Sequence, residues 1–164
     1  MWRWIAMVGG GFAVAVVVVL VAQLLSLRTG WEPGVTAVRR FNRRFMNPRQ
    51  MKTAGQPDAY AAVIRHVGRN TGKPYETPVG VVDTADGLIV ALPYGTSPDW
   101  LKNVLASGSA ELVHEGRTFV VTNPEVIPAG DSGTHASRGD RILQRLYGVD
   151  LALRLHKAEA PVKA

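Results

Sequence analysis

Tyr60–Leu92 reads YAAVIRHVGRNTGKPYETPVGVVDTADGLIVAL, and the fold is decided there. Tyr60 to Val67 and Pro78 to Asp83 are short runs rich in β-branched and apolar residues, separated by the turn-rich GRNTGKPYET. Leu88 to Leu92 follows an Asp86-Gly87 turn and pairs with the second run as a hairpin. Downstream, Ser97-Pro98-Asp99 supplies helix-start signals, so Trp100 to Ser107 reads as a short helix stopped by Gly108. Glu111 to His114 and Arg117 to Thr122 form another hairpin around Glu115-Gly116, closed by Pro124. Pro128 to Gly139 is loop. Ile142, Leu143, Leu146 and Tyr147 recur at roughly helical spacing, which predicts a C-terminal helix over Asp140 to His156. No βαβ alternation is present, which argues against a Rossmann sheet. The expected class is α+β, mainly β: a small antiparallel barrel flanked by helices.

Upstream, Ile5 to Leu27 carries no charge. At about 1.5 Å per residue it reaches roughly 34 Å, enough to cross a hydrocarbon core, so residues 1–28 are expected to be a transmembrane helix. A cleaved signal peptide fits less well, because the apolar region is long and no small-x-small site follows it. Arg3 stands alone before the span while Arg28, Arg39, Arg40, Arg43 and Arg44 follow it. Positive-inside bias then gives a single-pass cell-membrane protein with its N-terminus outside and its catalytic domain in the cytoplasm. Gly9 with Ala13 and Gly11 with Ala15 are small-xxx-small pairs through which two spans can pack, leaving monomer and homodimer both open.

Residues 29–57 form a basic juxtamembrane helix and connector. Val35, Val38, Phe41, Phe45 and Met46 fall on one side of the helix and Arg39, Arg40, Arg43 and Arg44 opposite, ending at Asn47-Pro48. Such a helix can lie in an anionic lipid surface or pack its stripe on the domain, and the two are compatible. The polar MKTAGQPD connects it to the barrel domain, residues 58–164.

The 164 residues carry 19 Lys and Arg against 13 Asp and Glu, a formal charge of +6. Through Lys52 there are eight basic residues and one acidic, +7; the remaining eleven basic and twelve acidic residues sum to −1. The charge therefore marks membrane topology and gives no support to a nucleic-acid partner. The chain has no Cys, which excludes disulfides, thiolate metal sites and a thiol nucleophile. His66, His114, His135 and His156 match no metal-ligand spacing, so no metal is expected. Asp131, Ser132 and His135 share one loop, but no G-x-S-x-G elbow accompanies them, and a hydrolase is disfavoured. Any redox chemistry needs a bound cofactor.

Two connections could bind one. Gly68-Arg69-Asn70-Thr71-Gly72-Lys73-Pro74 brings glycines, cations and a hydroxyl together, and its backbone N–H groups could hold phosphate or carboxylate oxygens. It is not a P-loop, and the same composition also makes an ordinary hairpin turn with solvated cations. Pro93 to Trp100 leads into the short helix and offers a second anion or ring site, with Tyr94 and Trp100 able to stack on a flat ligand. Equally, Trp100 can be a core anchor and Tyr94 a rim residue.

FNRRFMNP, IRHVGRNTGKPYETPVGV and LIVALPYGTSPDWLKNVLASG, in that order, resemble the deazaflavin-dependent nitroreductase family of split β-barrel oxidoreductases, related in fold to flavin reductases and PNP oxidases. The resemblance runs from Phe41 to Pro124. It implies a split barrel of six to seven strands binding the 8-hydroxy-5-deazaflavin coenzyme F(420), whose reduced form passes hydride to quinones or nitro compounds. The family's G-R-K-[ST]-G-x-P matches Gly68, Arg69, Asn70, Thr71, Gly72 and Pro74, with Asn70 in place of a basic residue and Lys73 able to compensate. Thr77, Pro78 and Val79 resemble the segment against the deazaflavin ring, with Tyr94 and Gly95 beside it, and the family's W-x-x-N matches Trp100 and Asn103. Tyr60 or Tyr147 would line the acceptor side, and no residue is singled out as a catalytic acid or base. Flavin mononucleotide is the alternative coenzyme. The expected function is a membrane-anchored hydride-transferring oxidoreductase acting on a lipophilic acceptor. The alternatives are a non-catalytic split-barrel module binding a deazaflavin, haem-like or fatty-acid ligand at the membrane, or a scaffold whose barrel only packs.

Overall fold

The structure is a computed structural model, and it describes residues 18, 21–85, 87–131 and 148–158. Seven antiparallel strands form one sheet in the order β2-β1-β5-β6-β7-β4-β3. The strands are β1 (Ala62–Val67), β2 (Pro74–Val79), β3 (Val81–Thr84), β4 (Gly87–Ala91), β5 (Ser109–His114), β6 (Arg117–Pro128) and β7 (Leu151–Lys157). The edge strands β2 and β3 follow each other directly in the chain, separated only by Gly80. One bent segment therefore borders both ends of the sheet and curls it towards a barrel. Sequence reasoning expected a single strand from Pro78 to Asp83. The chain instead pairs four residues earlier with β1, Pro74 opposite Val67, and changes partner to β4 after Gly80.

The barrel interior follows from alternation. Ala62 and Ile64 of β1, Leu88 and Val90 of β4, Leu112 of β5, Val121 of β6 and Leu153 and Leu155 of β7 are buried in one cluster. Burying each Leu or Ile side chain contributes about 1.5–3 kcal/mol. The helix α3 (Asp99–Ser107) closes the cluster with Leu101 and Val104, both fully buried. It ends as expected at Gly108, whose φ of 71° suits a left-handed C-cap.

Two expectations are corrected. Helix was predicted through His156, but Leu151–Lys157 is the strand β7, hydrogen-bonded to both β4 and β6. Leu153 and Leu155 lie inside while Arg154 and His156, alternating with them, lie half-buried, a period of two that the helical spacing farther upstream obscured. The N-terminal part of that predicted helix, including Tyr147, lies outside the described residues. β6 also runs past Thr122 to Pro128, because a bulge at Asn123 (φ 50°) and a register shift between Thr122 and Glu125 let the strand carry Pro124 and resume pairing with β7.

Before the barrel, α1 (Glu32–Phe41) continues through a wider π-type turn at Asn42–Met46 into α2 (Asn47–Gln50). Pro48 thus opens a further helical turn where it was expected to end the helix. A proline in the first turn removes no needed hydrogen bond. The expected apolar stripe divides: Val35 and Val38 are buried on the protein, whereas Phe41, Phe45 and Met46 are 40–44% exposed beside Arg40, Arg43 and Arg44. The connector is pinned, since Gly55 N–H donates to Ala61 and its carbonyl accepts from Gly116, tying it to the β5–β6 hairpin.

Asp83 at the end of β3 reaches Lys157 Nζ at 2.8 Å and His114 Nε2 at 2.9 Å, joining three strands. Partial burial pushes its carboxyl pKa up, but the hydrogen bonds and charges of Lys157 and His114 outweigh this and hold it below the ordinary value. A depressed carboxyl pKa stabilises the fold above the unfolded value, and this contribution is lost as pH falls through the folded value. Asp83→Asn is expected to cost about 0.5–1 kcal/mol at neutral pH, as for exposed ion pairs. Urea unfolding at descending pH should show the difference from wild type shrinking.

Candidate functional site

The end of β1, the β1–β2 turn and the C-terminal half of α3 converge on a cleft of 370 Å³ lined by Gly68, Arg69, Asn70, Gly72, Asn103 and Ser107, with Val67 and Ala106. The turn closes on itself: Gly68 N–H donates to Lys73 O, and the N–H groups of Thr71 and Gly72 donate to Gly68 O. Gly72 takes φ 65°, a conformation that favours glycine, and a Cβ at Gly68 would press on the exposed side chains of Thr71 and Tyr75. The expectation of a row of free backbone donors is accordingly corrected. Five of those N–H groups are already used, because the Arg69 N–H donates to Asn103 Oδ1 at 3.1 Å and the Lys73 N–H to Thr71 Oγ1.

What the turn presents is charge. The Arg69 guanidinium donates through Nη1 to Asn103 Oδ1 at 2.9 Å and pairs through Nη2 with Asp99 Oδ1 at 3.1 Å. Its Nε–H and part of Nη2 have no protein acceptor among the described residues, and its side chain is 31% exposed. Lys73 is exposed on the turn before Pro74, and its backbone N–H donates to Thr71 Oγ1 at 3.4 Å. Thr71 is thereby turned towards the turn's own backbone.

Asn103 is 5% exposed and is the hub of the site. Besides accepting both Arg69 bonds, it donates through Nδ2 to His66 Nδ1 at 3.1 Å, and His66 Nε2 lies 3.3 Å from Thr77 Oγ1. Thr77 is thus connected to Arg69 through two buried side chains. His66 stacks on Tyr75 with ring centroids 5.8 Å apart, and burial lowers its pKa.

Arg69, Asn70, Gly72 and Asn103 therefore share one cleft, Lys73 and Thr71 stand on its turn, and Thr77 and Pro78 lie half-buried on the adjoining strand. Val79 belongs to the barrel core and Trp100 packs against it, so the core-anchor reading of Trp100 holds. Tyr94 and Gly95 lie half-buried on the loop before α3, where the Tyr94 hydroxyl accepts a short hydrogen bond from Asn42 Nδ2. Tyr60 is 78% exposed with its hydroxyl over Gly80, at the β2–β3 bend. Sequence reasoning missed His66 and Asp99. The available signal was alternation: His66 continues the inward series Ala62, Ile64 and is the one polar member of it.

The fold is a curled antiparallel half-barrel of the split-barrel type, with a cationic turn leading into its edge strand β2. The chain belongs to the F420H(2)-dependent quinone reductase family, whose model matches residues 37–135, more than half of its length. It is accordingly an oxidoreductase that uses coenzyme F(420). No curated protein matches the sequence. Among solved structures, it is similar to the haem storage protein HutZ of Vibrio cholerae (12% identity, TM-score 0.44, covering 63% of this chain and 84% of that one). It is similar also to protein Atu2129 of Agrobacterium tumefaciens str. C58 (14% identity, TM-score 0.45, 62% and 49% covered). An F420-H2 dependent reductase is a third (12% identity, TM-score 0.38, 59% and 94% covered).

The residues present fit the coenzyme's acidic tail. Arg69 has donors to spare at the cleft, and Lys73, exposed on the same turn, adds a second cation. The guanidinium fork suits phosphate and carboxylate oxygens, and Asn103 and Asp99 hold it in one orientation. When bound in its reduced form, the deazaflavin supplies hydride. Arg69 and Lys73 are the residues that would hold the tail, and Thr77 and Pro78 lie half-buried on the strand that follows the turn.

Proposed function

We propose that this protein is a membrane-anchored reductase that passes hydride from reduced F(420) to a lipophilic acceptor of the quinone or nitro class. The observation that carries the membrane part is the Asn42–Tyr94 hydrogen bond, which joins the arginine-rich helical segment to the loop opening α3. Phe41, its ring tilted against Phe45 at 5.2 Å, and Met46 are exposed on that segment, next to Arg40, Arg43 and Arg44. Apolar side chains among cations suit an anionic lipid surface, each cation contributing about 1 kcal/mol near the headgroups. The Arg28 backbone lies against Gly148, just before β7, so the end of the apolar segment meets the barrel. Among the described residues no helix is long and apolar enough to cross a membrane. The span expected over Ile5 to Leu27 falls largely outside them. In this reading it is the single-pass anchor, with the N-terminus outside and the barrel cytoplasmic, and an acceptor dissolved in the bilayer reaches the site past Tyr60 and the helix.

The test is to incorporate the full-length protein in anionic vesicles containing menaquinone, add reduced F(420), and follow the return of deazaflavin absorbance. Coenzyme oxidation that requires both protein and quinone is expected. Coenzyme binding without oxidation by any quinone or nitro acceptor would instead favour a carrier module.

A further inference from the structure

The hydrogen-bond directions around Asn103 determine the state of His66. Both groups facing Asn103 Oδ1, the Arg69 backbone N–H at 3.1 Å and the guanidinium Nη1 at 2.9 Å, are obligate donors. The amide oxygen must therefore face Arg69, and Nδ2 must face His66 Nδ1, 3.1 Å away. Since Nδ2 only donates, Nδ1 must be bare, which leaves the imidazole proton on Nε2, directed at Thr77 Oγ1 at 3.3 Å.

Resting on the coenzyme reading of the turn, we propose that neutral His66 is a positioning residue: it locks the Asn103 amide so that Arg69 is aimed at the coenzyme's acidic tail, and its protonation releases that tail. An imidazolium would set N–H against N–H at Asn103. Turning the amide relieves this clash but takes Oδ1 away from both Arg69 donors, so the guanidinium keeps only Asp99. The other groups around His66 are the stacked Tyr75 ring and the Thr77 hydroxyl of β2. From α3, Asn103 faces it directly, with Arg69 and Asp99 beyond. No carboxylate contacts the ring among the described residues to favour its charged form. Burial opposes protonation as well, so the switch lies on the acid side of an ordinary histidine.

The experiment is equilibrium binding of oxidised F(420) to the full-length protein between about pH 5 and pH 8, the range in which histidines titrate. Wild type, His66→Asn and His66→Phe are compared. Wild-type affinity is expected to fall on the order of 10-fold on acidification, the scale of losing a charge-assisted contact. His66→Phe, with no acceptor for Asn103, should bind comparably weakly at every pH. His66→Asn places an amide oxygen near the former Nδ1, so it should recover most of the affinity lost in His66→Phe and lose the acid-dependent fall. An identical pH profile in wild type and His66→Asn overturns the proposal, as does a His66→Asn no better than His66→Phe. Imidazole nitrogen NMR of the coenzyme-free wild type provides a readout independent of binding. A neutral ring protonated on Nε2 is expected at neutral pH, and protonation on Nδ1 would overturn the proposal. Failure of wild type to bind F(420) at any pH, with the Nε2 tautomer present, would instead count against the coenzyme reading of the turn.

Discussion

Gly87→Ala is expected to destabilise the protein by about 3–4 kcal/mol, at the upper end for a single methyl group. A Cβ at this position would overlap the carbonyl oxygen of Leu155 and sit 3.1 Å from the Leu155 carbonyl carbon and the His156 Cα, all of them backbone atoms. No rotamer change can relieve such a contact. Strands β4 and β7 would have to separate where Leu88 pairs with Leu155, and both side chains are fully buried in the barrel core. The loss should appear as a fall in Tm on the order of 10 °C or more in thermal unfolding, with the coenzyme cleft at the other connection largely unaffected below that temperature. Wild-type-like stability would mean that β4 and β7 approach less closely than described.

Asn103→Leu is expected to act on both stability and binding. Leucine keeps the branched outline of asparagine but removes the acceptor of two Arg69 donors and the donor to His66. Leaving buried polar partners unsatisfied costs about 2–3 kcal/mol here, since His66 is buried while the Arg69 guanidinium can turn towards water. Affinity for F(420) should fall roughly 10- to 100-fold, because Arg69 then no longer holds its donors at the cleft. Urea unfolding and coenzyme titration measure the two effects separately. Undiminished affinity would show that Arg69 is oriented by Asp99 alone.

The parts of this fold legible in the sequence were those set by local chemistry. The hairpin after Asp86-Gly87, the helix from Asp99 with its stop at Gly108 and the turn from Gly68 to Lys73 all depend on residues close in the chain. β7 was read as helix because Leu151, Leu153 and Leu155 follow a helix-spaced series, and only pairing with β4 and β6 makes them alternate. Pro124 was read as a strand end because a bulge that accommodates proline is visible only against its partner strand. In the site, Arg69, Asn103 and Thr77 carried recognisable motif positions, whereas Asp99 and His66 matter through contacts 30 to 37 residues away in sequence. Trp100 matched a motif position equally well and yet packs on the core, since composition does not tell which side of a short helix faces inward.

The central claim, that the Gly68–Lys73 turn with Arg69 holds the acidic tail of F(420), is tested most directly by calorimetric titration. Oxidised F(420) and, in parallel, flavin mononucleotide are titrated into the full-length protein and into Arg69→Ala. Saturable binding of F(420) in preference to the flavin is expected, weakened roughly 10- to 100-fold in Arg69→Ala, the scale of a lost charged hydrogen-bonding group. Preferential binding of flavin mononucleotide, or F(420) affinity indifferent to Arg69, would contradict it.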